Sequence, residues 1–275
     1  MIELPESHVL AEQINRTVAG KEILYVTANQ SPHGCARYSG NPSEYSSKLR
    51  GKRVSGADVF CGFVRIAADD MCLLISAPIK YHAPGEKLPE KHQLLVLFDD
   101  GSAISCTVRV WGAMFCYRQG EEAEGIPVGH HLNTEPSPLD DRFDYAYFRS
   151  LAASEDAKSL CAKAFLATEQ RIVGMGNGVL QDILWNAHVH PKRRMDTLSE
   201  AEFRALFDSV KKTLADMVAQ GGRDTERDLF GQSGGYKTVL KKTTAGSPCA
   251  ECGSTIINET YLGGAIYYCP TCQQL

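Results

Sequence analysis

The chain has 275 residues with 29 Lys and Arg against 33 Asp and Glu, a formal net charge of −4, and is 43% hydrophobic and 23% charged. These proportions exclude collagen-like, coiled-coil and disordered chains, and the length leaves room for two domains with substantial cores. The uncharged apolar stretches fall short of the roughly 18 residues that a spanning helix needs, and Glu3 and Glu6 stand where a secretory signal would carry Lys or Arg, so the expectation is a cytoplasmic protein with no membrane partner.

In chain order, Pro5-Glu6-Ser7 can open a helix, and Val9, Leu10, Ile14, Thr17 and Val18 recur with helical spacing until Gly20. From Lys21 to about Tyr117 the pattern changes to short β-type runs, 23–26, 59–66, 72–75, 94–98, 103–110 and 113–117, parted by Asp-Asp, Pro-Gly and Asp-Gly turns. This predicts a two-sheet sandwich with the first helix beside it. Residues 119–141 are rich in Gly, Pro, Glu and His with little periodicity, as in a linker. Helical periodicity then dominates from Tyr145 to about Gln220, and Ser199-Glu200-Ala201-Glu202 followed by Phe203, Leu206, Phe207, Val210 and Leu214 reads as a capped amphipathic helix. The predicted class is α+β with two domains: an N-terminal helix plus β-sandwich over 1–120, a linker over 121–143, a helical domain over 144–246 and a C-terminal hairpin over 247–275.

The ten cysteines fall into two groups. Cys35, Cys61, Cys72, Cys106, Cys116 and Cys161 stand singly, mostly in apolar runs, and read as reduced thiols acting as small hydrophobes. Cys249-Ala250-Glu251-Cys252 and Cys269-Pro270-Thr271-Cys272 are two C-x-x-C knuckles separated by sixteen residues. That is the spacing of a structural zinc site, with disulfides or a redox dithiol as the alternatives. The intervening 254–268, with Gly263-Gly264 at its middle, reads as a β-hairpin whose turn needs positive φ. Four sulfur ligands would close the coordination sphere, which makes the metal structural and not catalytic.

Inside the helical part, Ile172-Val173-Gly174-Met175-Gly176-Asn177-Gly178 joins a helix ending near Arg171 to a second one running from about Val179 to Ala187. Glycines let the backbone approach a ligand, and the amides of a new helix N-terminus suit phosphate, with Asn177 adding a side-chain donor. Alone, the segment is equally an ordinary helix–helix turn. Lys237, Lys241 and Lys242 form a patch without acids between Tyr236 and Cys249, either solvated surface or a local footprint for a polyanion.

Glu3-Leu4-Pro5-Glu6, Leu49-Arg50-Gly51-Lys52-Arg53-Val54, Leu88-Pro89-Glu90-Lys91-His92, Gly174 to Asn177, Ser233-Gly234-Gly235-Tyr236 and Pro248 to Cys272 occur in this order over essentially the whole chain. Together they resemble the formamidopyrimidine-DNA glycosylase and endonuclease VIII family. The resemblance implies a helix–two-turn–helix domain with a four-Cys zinc hairpin, a monomer, and a nucleoid-associated location. It also implies damaged or abasic double-stranded DNA as the partner. The implied activity is base-excision repair: a flipped base is released by attack of an N-terminal amine, and the imine left on the sugar allows strand cleavage. On this resemblance Glu3 takes the place of the catalytic acid, and Glu6 helps orient the N-terminus. Gly174, Gly176 and Asn177 match the phosphate clamp. His92 and Tyr236, with Lys237 next to it, sit in motifs that contact the DNA backbone near the lesion. Arg109 and Trp111 stand for the residues that fill the void left by the extruded base, the alternative for 107–111 being a strand of alternating packing with one exposed arginine.

Four positions depart from the family, one of them the void-filling methionine, which maps near Ala77-Pro78. Ile2 stands in place of the nucleophilic proline, and its bulk normally prevents removal of Met1, so the amine belongs to Met1 or, after processing, to Ile2. An α-amine with a pKa of about 7.7–8.0 still forms imines at neutral pH. The family's β-domain lysine falls near Gly62 and its hairpin arginine aligns with Gly264, with no basic neighbour in sequence at either. Two functions fit: a DNA glycosylase with AP-lyase activity of the endonuclease VIII type, or a lesion-binding protein that has kept the scaffold and lost the reaction.

Overall fold

Helix α1 spans Leu4–Thr17, with Pro5 in its first turn, where a missing N–H costs nothing, and Leu4, Val9, Leu10, Ala11 and Ile14 buried along one face. The computed structural model describes residues 2–60, 62–121, 135–169 and 171–275. They divide into two units: Met1–Thr134 with Gly221–Gly234, and Glu135–Gln220 with Gly235–Leu275. The predicted helical domain is therefore interrupted, because 221–234 returns to the first unit.

In the first unit, strands β1 (Ile23–Ala28), β7 (Leu94–Phe98), β8 (Ala103–Cys106) and β6 (Ile79–His82) form one sheet in that order. The second sheet has the order β2 (Ala36–Tyr38), β9 (Gly112–Arg118), β5 (Met71–Ile75), β4 (Phe63–Ala68), β3 (Val54–Phe60). Alternating burial along β4 and β7 places Val64, Ile66, Val96 and Phe98 in a shared core with Leu73, Ile104 and Ile14 of α1. The sandwich is the predicted one, but two runs differ. The 59–66 run is a hairpin in which Phe60 pairs with Phe63 and Gly62 has φ +74°, a turn hidden inside an unbroken apolar stretch. The 103–110 run stops at Cys106; two residues on, Val108 N–H is taken by the Gln93 side chain at 2.7 Å and not by a neighbouring strand. Strands β2 and β6 and the short helix α2 (Tyr45–Leu49) are too brief to show periodicity in sequence.

The second unit holds α3 (Tyr145–Leu151), α4 (Glu155–Ser159), a π-type turn (Ala164–Thr168), α5 (Asn177–Asn186) and α6 (Glu200–Ala219). Phe148, Phe165, Phe203 and Phe207 pack ring on ring around a core that also takes Phe143. Phe143, the last residue of the predicted linker, is thus core; linker residues 122–134 lie outside the described residues. Ser199 and Glu202 form the capping box that the sequence predicts for α6. The helix expected to end near Arg171 stops at Thr168, and α5 begins at Asn177, two residues early. Strands β10 (Ile257–Tyr261) and β11 (Gly264–Tyr268) form the C-terminal hairpin. Its turn residues are Leu262 at φ +47° and Gly263 at φ +74°, one position before the predicted Gly263-Gly264. Among the described residues no helix is long and apolar enough to cross a membrane.

Candidate active site and metal centre

Glu3 and Glu6 stand at the start of α1 and are 9% and 4% exposed, unusual for carboxylates, which enter a protein interior only when paired. Their partner is Arg223, itself 2% exposed. Its Nε and Nη2 donate to the two Glu6 carboxylate oxygens at 2.9 and 2.8 Å, its backbone N–H donates to Glu6 Oε1 at 3.3 Å, and its Nη1 lies 3.4 Å from Glu3 Oε2. Burial alone would lower the Arg223 pKa, but the Glu3 and Glu6 carboxylates outweigh it and hold the guanidinium charged. Nearby Glu226 is pushed up by burial, with Arg223 opposing and Glu6 and Glu3 adding. Three carboxylates thus share one buried guanidinium. Nothing in the sequence flags Arg223, because it lies 217 residues from Glu6.

Ile2 precedes this cluster, its side chain 5% exposed in the sandwich core and its N–H donating to Ser76 O at 3.0 Å. Met1 lies outside the described residues. Gly62, near which the missing lysine falls, is held by Ser7, whose hydroxyl donates to its carbonyl oxygen. The Gly62 φ of +74° favours glycine there.

His92 is 7% exposed; its Nδ1 faces Pro89 O at 3.1 Å, and its Nε2 has no hydrogen-bond partner among the described residues. Arg109 is exposed in the loop between β8 and β9, beside Val110 at 77% exposure, so this stretch is not the strand considered as an alternative. Trp111 turns back from that loop onto a small cluster with Leu74, Phe115, Phe60, Phe63 and Tyr117.

In the second unit, Gly174 has φ +79° and Gly176 is extended, serving as N-cap of α5. Asn177 Nδ2 donates to Ala265 O at 2.7 Å, while Oδ1 is buried without a partner among the described residues. The Asn177 donor is therefore engaged with β11, and a phosphate would compete with that carbonyl for it. Gln181, one turn on, accepts from Tyr267 N–H at 3.0 Å and donates to Ala265 O at 3.2 Å, adding a second rung between α5 and β11. The sequence shows no base beside Gly264, yet the fold supplies one. Lys163 Nζ comes within 3.3 Å of where a Gly264 Cβ would lie, and donates to the carbonyl oxygens of Tyr261 and Gly264. Tyr236 is half-buried, with its phenol pKa raised by burial and by the neighbouring Asp182 carboxylate, whose oxygens accept the Val239 and Leu240 N–H groups. Lys237 is exposed.

The sulfurs of Cys249, Cys252, Cys269 and Cys272 all lie within 4.8 Å of one another, so the four can hold one metal ion. Hydrogen bonds from Ser254 lower the Cys252 thiol to about 6, whereas burial raises Cys269 and Cys272. Gln273, fully buried, accepts from Cys269 N–H at 2.9 Å and donates to Val189 O at 3.0 Å, tying the second knuckle to the stretch after α5. Trp185 packs on Cys249. The donor set is that of a closed structural site.

Residues 134–228 match the H2TH domain of formamidopyrimidine-DNA glycosylase. The formamidopyrimidine-DNA glycosylase of Enterococcus faecalis is 26% identical over 290 residues, spanning 100% of this chain and 98% of that protein. The one from Mycolicibacterium paratuberculosis is 27% identical over 285 residues, covering 99% and 98%. The chain is thus similar to formamidopyrimidine-DNA glycosylases over essentially its whole length, and its residues 134–228 carry their H2TH domain. Two solved structures extend the likeness of fold. A Lactococcus lactis Fpg in complex with abasic-site DNA superposes with a TM-score of 0.82 at 24% identity, covering 99% of this chain and 100% of that one. MutM (Fpg) from Thermus thermophilus has a TM-score of 0.82 at 23% identity, covering 98% of each. The matched segment 134–228 contains both Asn177 and Arg223.

Proposed function

We propose that the chain binds double-stranded DNA carrying a damaged base or an abasic site and acts there as a DNA glycosylase with AP-lyase activity. The observation that carries this reading is the buried pair Glu3 and Glu6, which takes a dedicated guanidinium to sustain. A protein that only binds DNA has no need of two buried carboxylates beside its N-terminus. In the reaction the N-terminal amine forms a bond to C1′ of the nucleotide as the bond from C1′ to the base breaks, and the departing base takes a proton. The C1′–O4′ bond then opens, O4′ taking a proton, as the amine loses a proton and the C1′=N bond of the imine forms; loss of a C2′ proton then breaks the C3′–O bond and expels the 3′ phosphate. Glu3 supplies a proton to the sugar ring oxygen, and Glu6 orients the N-terminus; the amine is that of Met1 or, after processing, of Ile2.

Asn177 with the Gly174 and Gly176 turn, His92, Tyr236 and Lys237 hold phosphates, and the exposed Arg109 enters the duplex, while Trp111 stays packed on the Leu74 and Phe115 cluster. Phosphate contacts of this kind make affinity fall with salt. Zinc is the metal suited to Cys249, Cys252, Cys269 and Cys272, where it sets the hairpin and takes no part in the chemistry. The location follows the substrate: cytoplasmic, on the nucleoid.

A second reading, a lesion binder that has lost turnover, is favoured by Gly62 and Gly264, where the family's cations are replaced by residues that offer no charge. Incubating tag-free protein with duplexes containing one abasic site, one oxidised purine or one oxidised pyrimidine separates the two. The first reading expects strand scission at the abasic site and release of at least one base, with loss of both on Glu3→Gln. Release of the pyrimidine alone marks the endonuclease VIII type. Binding without scission or release would support the second reading.

A further inference from the structure

Arg223 reaches the two carboxylates by a built route. The strap 221–234 is pinned to the first unit at several points. Gln13 donates to Asp228 Oδ2 and accepts Leu229 N–H, both at 2.9 Å. Tyr81 N–H donates to Leu229 O at 2.8 Å, and the Phe230 ring meets the Tyr81 ring edge-on with centroids 6.0 Å apart. Leu229 itself is fully buried in the sandwich core. The two ends of the strap close on each other so tightly that a Cβ on Gly234 would sit 2.1 Å from Gly222 O. A Cβ on Gly222 would reach within 3.7 Å of Glu6 Oε1, at a backbone φ of +94° that side chains avoid. This closure brings both the backbone N–H and the guanidinium of Arg223 onto Glu6, which receives three donors from one residue while the remaining nitrogen faces Glu3.

We propose that Arg223 is a positioning residue for the reaction: held by the 221–234 strap, its planar fork fixes the Glu3 and Glu6 carboxylates in the orientation the chemistry needs. A guanidinium suits this task where an ammonium does not, because its nitrogens lie in a rigid plane that matches a carboxylate edge and still leaves one nitrogen for a second partner. Arg223 touches no substrate; it acts through Glu3 and Glu6. The inference rests on the glycosylase and lyase reading above.

The test is single-turnover scission of abasic-site duplex by the full-length, tag-free chain, comparing wild type, Arg223→Lys, Arg223→Met and Glu6→Gln, with Arg223→Lys also combined with Glu3→Gln. Misplacing a reacting group by about 1 Å costs on the order of a hundredfold, so Arg223→Met is expected to lower the cleavage rate by about that factor and Arg223→Lys by about tenfold. Affinity for the abasic duplex should stay within about threefold, since the strap supplies no phosphate contact in this account. Once Glu3 is Gln, Arg223→Lys should have little further effect, because both act on one group. Folded Arg223→Lys cleaving at the wild-type rate, or multiplying its loss with that of Glu3→Gln, would overturn the inference. If the Arg223 variants do not fold, Glu6→Gln carries the test through the isosteric loss of one fork contact, and an unchanged rate there counts against the proposal. Wild type that binds but does not cleave overturns the reading on which the inference rests, and the inference with it.

Discussion

The two units solve the problem of a buried polar site in opposite ways. In the second, four cysteines on two local knuckles converge on a metal-sized gap, and neighbours such as Gln273 and Trp185 brace the knuckles. In the first, carboxylates at one helix start are neutralised by a guanidinium carried on a strap far along the chain. The metal site is assembled from residues close in sequence, so its spacing alone discloses it. The charged site is assembled by loop closure, and its decisive partner has no local signature. A metal supplies binding energy of about 10–16 kcal/mol in small zinc peptides, whereas a buried ion pair roughly balances its own desolvation and matters chiefly when one partner is removed.

That contrast can be broken at either end. The largest effect is expected from stripping the metal with a chelator or from Cys249→Ser, which should unfold the hairpin and weaken DNA binding by at least about tenfold while the sandwich keeps its cooperative transition. Hydrogen exchange resolved by segment reads this; protection lost equally in both units would contradict the division. Next, Arg223→Met removes the guanidinium that Glu3 and Glu6 share and should destabilise the first unit by about 3–5 kcal/mol, seen as a lower urea midpoint. Asn177→Ala removes a part-buried amide that bridges α5 to β11 and should cost about 1–2 kcal/mol together with a uniform loss of DNA affinity across sequences; affinity unchanged at low salt would exclude the clamp role.

The smallest effect compares one histidine in each unit. Burial lowers the His82 pKa below 6.5, with Lys80 adding and Glu86 opposing, and burial likewise lowers His190, with Lys192 adding and Glu259 opposing. In both cases the unfolded chain binds the proton more readily, so stability is full above pH 6.5 and declines on acidification below it. Thermal midpoints measured from pH 7.5 to 5 should fall, and His82→Asn should flatten the slope in the first unit only.

Much of the architecture is legible in the sequence because it rests on local rules. The capping box at Ser199 and Glu202, the knuckle spacing and the alternation in β7 each involve residues within a few positions of one another. Where the reading failed, distant partners decided. Gln93 captured Val108 N–H two residues past the end of β8, and a turn at Gly62 split an apolar run. The candidate site divides along the same line. Glu3, Glu6, Asn177 and the cysteines announce themselves by motif, whereas Arg223 and the Lys163 that faces Gly264 are brought in by the fold alone.

The most direct test of the proposed activity is borohydride reduction of tag-free protein on abasic-site duplex, followed by mass spectrometry of the linked peptide. The account predicts a covalent adduct on the α-amine of Met1, or of Ile2 where the methionine has been removed, with the yield reduced by Arg223→Lys. Salt-dependent binding without any adduct, or an adduct confined to a lysine, would contradict it.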